Sequence, residues 1–300
     1  MKKIIIPKLL IIFTLYLVYI LLIKNIPHYN NLKVCLCSPV KKENLYLREF
    51  VQHYKSYKVD KIFLYDNNDI DGEFLESVIK DYTLSGYVEV INFRGKLRAL
   101  YEIMNDCYNK NYMNYDWLIF YEIDEYIHLK NYTNIKKFLN EKKFNGCQTI
   151  QLNWLFHTDN EHIYYENKPL KVRFKKSAKF VKTTAIKSIL RGKIPNITIN
   201  CVHKLNQNLK TCNGFGKETH IVTAGTSDLD YEYYFIDHYF CKSTEEFINK
   251  LNKGDVLYSL DNIKERLSVY FAVNKYTKDK IDYIIKHIHS NISFDQSLIK

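Results

Sequence analysis

The motifs that mark several common enzyme classes are missing from this sequence of 300 residues. The stretch Ser38-Pro-Val-Lys-Lys-Glu43, which follows the first predicted strand, contains no glycine. A dinucleotide-binding or methyltransferase domain would need a glycine-rich turn there. The chain also lacks a P-loop, a G-x-S-x-G elbow and an H-E-x-x-H helix. These absences disfavour P-loop NTPases, α/β-hydrolases and zinc proteases of that type.

The seven cysteines are scattered, and none forms a C-x-x-C pair. A zinc site is therefore not expected, and the odd number of cysteines leaves disulfide pairing open. Three asparagines stand in sequons that would be glycosylated if the domain were lumenal. They are Asn131-Tyr-Thr, Asn196-Ile-Thr and Asn291-Ile-Ser.

The composition is that of a globular protein, with 46% hydrophobic and 26% charged residues. The length suffices for one large domain or two small ones. The net charge of +11 suits an anionic partner such as a nucleotide-sugar, a phospholipid surface or a nucleic acid. The lysines are spread along the chain rather than gathered in one basic arm, so we do not expect nucleic acid as the partner.

The amino terminus differs from the rest of the chain. Residues 4–23 are apolar except for Pro7-Lys8, and residues 9–23 carry no charge. This length is close to what a membrane-spanning helix requires. A cleaved signal peptide is the alternative, but no small-x-small site follows. We predict a single-pass, uncleaved membrane anchor with its linker in residues 1–30, and its orientation stays open because lysines flank both sides.

After the linker, predicted strands alternate with predicted helices, an order typical of right-handed βαβ units and a parallel sheet. The strands are expected at 33–38, 61–65, 87–93, 117–121 and 147–156, and the helices at 42–57, 73–82 and 97–112. The pattern therefore predicts an α/β fold whose mostly parallel sheet has helices on both faces.

Three acids, Glu122, Asp124 and Glu125, follow the apolar run Trp117 to Tyr121 without an intervening turn residue. Such a run indicates a strand buried on both faces, and open α/β sheets bind ligands at the carboxyl ends of such strands. On an extended backbone Glu122 and Asp124 point to the same side. Two oxygen ligands there would suit Mn²⁺ or Mg²⁺ shared with substrate phosphates. The alternative is that these are merely solvated acids at a strand end.

Several stretches together resemble glycosyltransferase family 92, which is related to family 2 and has the GT-A fold. They are 42–54 (KENLYLREFVQHY), 59–67 (VDKIFLYDN), 115–127 (YDWLIFYEIDEYI) and 236–247 (IDHYFCKSTEEF), with shorter matches at Asn153-Trp154, 165–170, Arg173-Phe174 and 213–215. The resemblance extends from about residue 34 to about residue 255. It implies a GT-A-like glycosyltransferase domain at 31–255, followed by a helical tail at 256–300.

The resemblance also implies the site. In this fold an acidic D-x-D motif holds a divalent metal that bridges the diphosphate of a nucleotide-sugar, and the motif position here reads Glu122-Ile-Asp124. The first acid departs from the commoner Asp, which leaves Asp124 as the safer ligand. His238, in Asp237-His-Tyr239, is a candidate third metal ligand.

Four residues are predicted to bind the nucleotide-sugar donor or its sugars. By the resemblance, Pro39, Glu43 and Asp66 should lie around the base and ribose. Trp154 could stack on a sugar or merely fill the core.

An inverting transferase needs a carboxylate that takes the proton from the acceptor hydroxyl. The polar loop His157-Thr-Asp-Asn-Glu-His162 offers Asp159 and Glu161, and the sequence does not choose between them. A capping box, Ser243-Thr-Glu-Glu246, predicts a helix that runs to about Lys253.

The strongly basic segment 171–193 is expected to be a solvated face, with an anionic acceptor or lipid head groups as the alternative. Taken together, the sequence predicts a membrane-anchored, metal-dependent, inverting hexosyltransferase. Its donor would be a nucleotide-sugar, with UDP favoured, and its acceptor a glycan or glycolipid. The alternative is a non-catalytic GT-A-like domain that binds glycan or acts as a scaffold. This alternative is permitted because Glu122 stands where the D-x-D motif more commonly has Asp.

Overall fold

The computed structural model describes residue 16 and residues 32–181, 185–201, 203, 205, 208–219, 229–253 and 263–288. The chain divides into two units, Met1–Leu32 and Lys33–Lys300. The predicted membrane anchor lies outside the described residues, apart from Tyr16. No helix within the described ranges has the length and apolar character that crossing a membrane would take.

Nine strands of the described chain form one sheet. Their bounds are β1 Val34–Val40, β2 Lys61–Asp66, β3 Val88–Asn92, β4 Trp117–Phe120, β5 Glu125–Leu129, β6 Thr149–Phe156, β7 Ile186–Arg191, β8 Thr211–Asn213 and β9 Tyr234–His238. The strand order is β3-β2-β1-β4-β7-β6-β9-β5, and β8 pairs with β6.

The helices are α1 Asn44–Ser56, α2 Glu76–Leu84, α3 Leu100–Asn111, α4 Ile135–Leu139, α5 Leu170–Arg173, α6 Thr244–Lys253, α7 Ile263–Val273 and α8 Lys278–His287. A 3₁₀ turn occupies Lys142–Phe144. The five strands and three helices predicted before residue 157 are all present, with bounds that differ by a few residues.

The sheet is mixed: of the eight pairings among the described strands, five are parallel and three are antiparallel, so the predicted, mostly parallel arrangement is correct only in part. Strands β3, β2, β1 and β4 are parallel to their neighbours. Beyond β4, strand β7 runs antiparallel to both β4 and β6, and β5 runs antiparallel to β9. Strand β6 is parallel to both β8 and β9. The long segment that joins β6 to β7 determines the direction of β7. The sequence of this segment has no periodic pattern, so the direction of β7 could not be predicted from it.

Helices cover both faces of the parallel half, as predicted. Alternate residues of β1 point to opposite faces. Leu36 belongs to a core cluster with Phe50 of α1, and Cys37 belongs to a second cluster with Met104 of α3. Full burial of side chains of this size contributes about 1.5–3 kcal/mol each, so the two clusters fix the strands that lead to the acidic residues.

Two disulfides settle the pairing that the sequence leaves open. Cys37 in β1 is bonded to Cys107 in α3, and Cys147, just before β6, is bonded to Cys212 in β8. Cys35, Cys201 and Cys241 are free thiols.

A third core cluster joins α7 and α8 to α6. The rings of Phe247 in α6 and Tyr270 in α7 stack with their centroids 4.3 Å apart. Ile284 of α8 is fully buried in the same cluster. The described helices of the predicted C-terminal tail are thus packed on the element that follows β9.

Candidate active site

The acids lie in a tight turn between β4 and β5. The N–H of Glu125 donates to the carbonyl oxygen of Glu122 at 3.0 Å. The Glu125 carboxylate in return accepts the N–H of Glu122 at 2.9 Å. Glu122 and Asp124 therefore come together through a turn, and the predicted extended backbone is wrong at this point. The reciprocal bonds of Glu125 close the turn immediately after the buried strand.

Lys187 of β7 bridges two of the acids. Its Nζ lies 2.5 Å from Glu122 Oε1 and 3.4 Å from Glu125 Oε1, and its side chain is 3% exposed. The expectation of a solvated basic face is therefore wrong for Lys187. Desolvation favours the neutral form of Glu122, but Lys187 and Lys250 together outweigh it and lower the pKa of that carboxyl. At Glu125 burial dominates and raises the pKa to about 8.

Asp124 faces two basic side chains. Lys250 Nζ of α6 lies 2.5 Å from Asp124 Oδ2, and His238 Nε2 at the end of β9 lies 3.6 Å from the same oxygen. Asp124 is 4% exposed. Burial would raise its pKa, but Lys250 and His238 hold that pKa well below the usual range. Asp124 is therefore an ionised carboxylate with a cation beside it.

Helix α6 begins at the predicted capping box, which is confirmed. The N–H of Ser243 donates to Glu246 Oε2 at 3.1 Å, and the N–H of Glu246 donates to Ser243 Oγ at 3.3 Å. The guanidinium of Arg173 donates two further hydrogen bonds to the same carboxylate, at 2.6 and 2.9 Å. Lys250 lies one helical turn after Glu246, so this buried network fixes the helix face that carries Lys250.

Aromatic and basic side chains complete the surroundings of the acids. The Trp154 ring lies 4.2 Å from the His238 ring and 5.3 Å from the His203 ring, centroid to centroid. Trp154 Nε1 and His238 Nδ1 are buried and have no hydrogen-bond partner within the described part of the chain. Arg266 in the first turn of α7 is half-buried; burial lowers its pKa, and the charges of Glu122 and Asp124 raise it.

A cleft of about 370 Å³ adjoins this cluster and includes Lys250 in its wall. Lys42, Glu43, Tyr46 and Lys242 are among its other lining residues. Its volume lies within the usual range for small-molecule sites. A larger cavity of about 580 Å³ is lined by Lys33 and Asp60, at the amino ends of the parallel strands. Because ligands of such sheets bind at the carboxyl ends, the smaller cleft is the candidate site.

The sequence profile of glycosyltransferase family 92 matches residues 30–264. The chain belongs to glycosyltransferase family 92. It is therefore a glycosyltransferase by family, and the α/β architecture with a mixed sheet is consistent with a GT-A-like fold. No curated protein matches the sequence.

Among solved structures, this family 92 protein is similar to TarS from S. aureus. TarS residues 1–349 in complex with UDP align over 89% of this chain and 73% of that chain, with 11% identity and a TM-score of 0.41. The complex of the same fragment with UDP-GlcNAc aligns over 89% of this chain and 74% of that chain, with 11% identity and a TM-score of 0.41.

The predicted donor residues of the family 92 domain lie at one edge of the sheet. Pro39 and Asp66 are at the carboxyl ends of β1 and β2, where Pro39 pairs with Tyr65. Asp66 forms an ion pair with Arg94 at 2.7 Å. Glu43 lines the cleft and lies 3.4 Å from Lys242 Nζ. Their roles in donor binding stay predictions.

Of the predicted metal ligands Glu122, Asp124 and His238, two lie against each other, with His238 Nε2 3.6 Å from Asp124 Oδ2. Within the described ranges, however, no three His, Cys, Asp or Glu side chains are arranged as a metal-binding group. Glu122 is engaged with Lys187, whereas Asp124 and His238 face each other. The metal stays a prediction.

Asp159 and Glu161, the predicted bases, contact the C-terminal segment: Asp159 contacts both of its described helices, and Glu161 contacts the loop between them. Asp159 is 1% exposed and accepts hydrogen bonds from Tyr270 Oη at 2.9 Å and from Lys280 Nζ, which lies 2.6 Å away. Glu161 is exposed and lies 3.1 Å from Lys275 Nζ. Both line another cavity, of about 390 Å³.

Sequence reasoning missed Lys187 and Lys250. In the sequence Lys187 belongs to the basic segment 171–193, and only the position of the short strand β7 between β4 and β6 makes it a buried residue. Lys250 stands four residues after the capping-box acid Glu246. That spacing places both on one helix face, the only sequence signal for Lys250.

Proposed function

We propose that this family 92 protein transfers a hexose from a UDP-sugar to a glycan or glycolipid acceptor, with inversion and with the help of a divalent cation. The observation that carries the proposal is the ionised Asp124, paired with Lys250 at the carboxyl edge of the sheet and beside a cleft of about 370 Å³. Family membership supplies the reaction class, and this arrangement supports the choice of donor.

The chemistry of the donor set fits a hard divalent cation. Asp124 supplies a carboxylate, and His238 supplies an imidazole whose Nδ1 is buried without a partner among the described residues. Sites of this kind often have only one or two protein carboxylates, with substrate phosphates completing the shell. A cation held by Asp124 and His238 would offset the charge of the departing diphosphate.

The cleft is lined by charges of both signs. Three lysines, Lys42, Lys242 and Lys250, stand beside four glutamates, so a strongly anionic nucleoside diphosphate would depend on the cation and on individual lysines rather than on a net positive lining. Lys250 is buried next to Asp124, where a charge interacts more strongly than it does in water. We assign Lys250 to the diphosphate, because its ammonium lies between the acidic turn and the cleft.

The base that accepts the proton of the acceptor hydroxyl is assigned to the loop that contains Asp159 and Glu161. Asp159 is buried, with Tyr270 and Lys280 bonded to it, so a substrate would have to displace both. Glu161 is exposed. Of the two, Glu161 has the accessibility that a general base needs.

The membrane is part of the proposal through residues 1–30. This segment has the apolar length of a single-pass anchor. Anchoring would hold the enzyme near a glycolipid or a membrane-bound glycan acceptor.

The test is turnover of a panel of UDP- and GDP-sugars by the purified full-length chain, with Mn²⁺ or with a chelator. We expect the wild-type chain to turn over one UDP-sugar in the presence of Mn²⁺. We expect no turnover of that sugar in chelator, and none by the Asp124→Asn variant. Asp71→Asn, which changes an exposed acid in the β2–α2 loop, is the matched control. Turnover by Asp124→Asn at the control rate would contradict the proposal.

A further inference from the structure

The two disulfides join parts of the domain that are distant in sequence. Cys37 and Cys107 are 70 residues apart, and Cys147 and Cys212 are 65 residues apart. Their Cα atoms are separated by 6.4 and 5.9 Å, within the range that a disulfide requires. Four of the seven cysteines are therefore placed in pairs by the fold itself.

Paired cysteines at these positions indicate the compartment in which the domain folds. Disulfides persist in the secretory pathway and outside the cell, whereas cytosolic thiols are kept reduced. Forming each bond removes two electrons and two protons from two thiols, and a disulfide-bearing oxidoreductase is the class of acceptor that takes them. A protein with two such bonds is expected in an oxidising compartment, of which the lumen of the secretory pathway is one.

Two sequons are presented as accessible acceptors. Asn131 is exposed in the turn between β5 and α4, and Thr133 is exposed two residues later. Asn196 is exposed in the segment after β7, again with an exposed hydroxyl residue, Thr198. Both asparagines have positive φ, 70° and 59°, which is the backbone of a turn.

Both sequons lie away from the acidic turn. Strand β5 begins at Glu125, and Asn131 follows its other end, about 17 Å away along five residues. Asn196 follows the end of β7, where Arg191 pairs with Trp117 at the start of β4. Glu122 follows the opposite end of β4. Carbohydrate at either asparagine would leave the cleft open.

We propose that Asn131 and Asn196 are N-glycosylation sites and that the unit from Lys33 onward is lumenal. The proposal does not depend on the proposed function. The Asn amide nitrogen bonds to the anomeric carbon of an oligosaccharide carried on a lipid diphosphate. The carbon–oxygen bond to the diphosphate breaks, the amide loses a proton, and the lipid diphosphate leaves.

The experiment uses the full-length chain made in a eukaryotic secretory host with its own amino terminus. Peptide-N-glycosidase leaves aspartate where a glycan was attached, and peptide mapping reads residues 131 and 196 separately. We expect conversion at both positions. Glycosidase treatment should increase the gel mobility of the wild type by the equivalent of two glycans. Asn131→Gln and Asn196→Gln should each reduce this shift by one glycan. Asn114→Gln, an exposed asparagine outside any sequon, should remove none.

Thiol counting on the same material is independent of any variant. Alkylation of the denatured, unreduced chain should modify the three free cysteines, and reduction should expose all seven. Seven modified cysteines without reduction, or absence of conversion at residue 131 or residue 196, would overturn the proposal. Conversion confined to Asn291, which lies outside the described residues, would also contradict the assignment of these two sites.

Discussion

At the scale of single residues, the candidate site is a set of buried charges that compensate one another. Lys187 neutralises the Glu122 side of the turn, and Lys250 neutralises Asp124. Removing one partner of a buried pair is costly, because the remaining charge is left without compensation. The role of each lysine can therefore be tested by replacing it and measuring catalysis for Lys250 and stability for Lys187.

Lys250→Met should impair catalysis, and it should also lower stability because it leaves the buried Asp124 without its ammonium partner. Loss of the ammonium removes positive charge beside the proposed diphosphate site, and removal of one such group typically costs about 100-fold in kcat. The measurement is kcat and KM for the UDP-sugar, with Lys80→Met, an exposed lysine of α2, as the control. Unchanged kcat in Lys250→Met would exclude Lys250 from the reaction.

Lys187→Met should impair stability. The change leaves the partly exposed Glu122 carboxylate and the buried Glu125 without their shared cation, which should lower the free energy of unfolding by about 1–3 kcal/mol. Adding Glu122→Gln removes the ionised carboxylate that pairs with Lys187 and should restore part of the loss. Urea unfolding of the single and double variants measures this. A double variant no more stable than Lys187→Met would argue against the pairing.

Some residues of the candidate site could be predicted from the sequence, and others could not. Asp124 and His238 were found because each follows or ends a strand inside a recognisable motif. Lys187 and Lys250 were not found, because a lysine's partner is set by tertiary packing and leaves no local pattern. The buried ring of Trp154 against His238 likewise depends on β6 and β9 being neighbours.

At the scale of elements, the parallel half of the sheet was predictable and the mixed half was not. Each of β1 to β4 is a short apolar strand, and helices separate them, so handedness and direction follow from general rules. The later strands are joined by long irregular segments. Their directions are fixed by the packing of β7 between β4 and β6.

The Cys37–Cys107 disulfide should stabilise the contact between β1 and α3. Closing a loop of this length is worth about 4 kcal/mol in the chain-entropy model. The double variant Cys37→Ser/Cys107→Ser should therefore lose about that much stability. Cys201→Ser, which removes a free thiol, is the control. Equal melting temperatures for the two variants under oxidising conditions would contradict the pairing.

At the scale of the whole molecule, acidification should destabilise the domain before any acidic residue of ordinary pKa is protonated. Burial lowers the pKa of His53 to about 3 and that of His203 to about 4. In the unfolded chain both take up a proton near pH 6.5. The stabilisation from the neutral rings is therefore complete above pH 6.5 and is lost as the pH falls towards the folded pKa values.

Between pH 6.5 and pH 5 each of these histidines should reduce the free energy of unfolding by about 1 kcal/mol, since both are partly exposed. Chemical denaturation across this range measures the slope. His53→Gln should flatten it, and His287→Gln, an exposed histidine of α8, should not. A slope unaffected by His53→Gln would contradict this account.

The central claim is that the turn carrying Asp124, paired with Lys250 and His238, is the donor site. The most direct measurement is the binding of UDP to the full-length chain by calorimetry in the presence of Mn²⁺. The account predicts binding to the wild type and to Asp71→Asn, and at least a tenfold loss, about 1.4 kcal/mol, in Asp124→Asn. Binding of UDP to Asp124→Asn with wild-type affinity would contradict it.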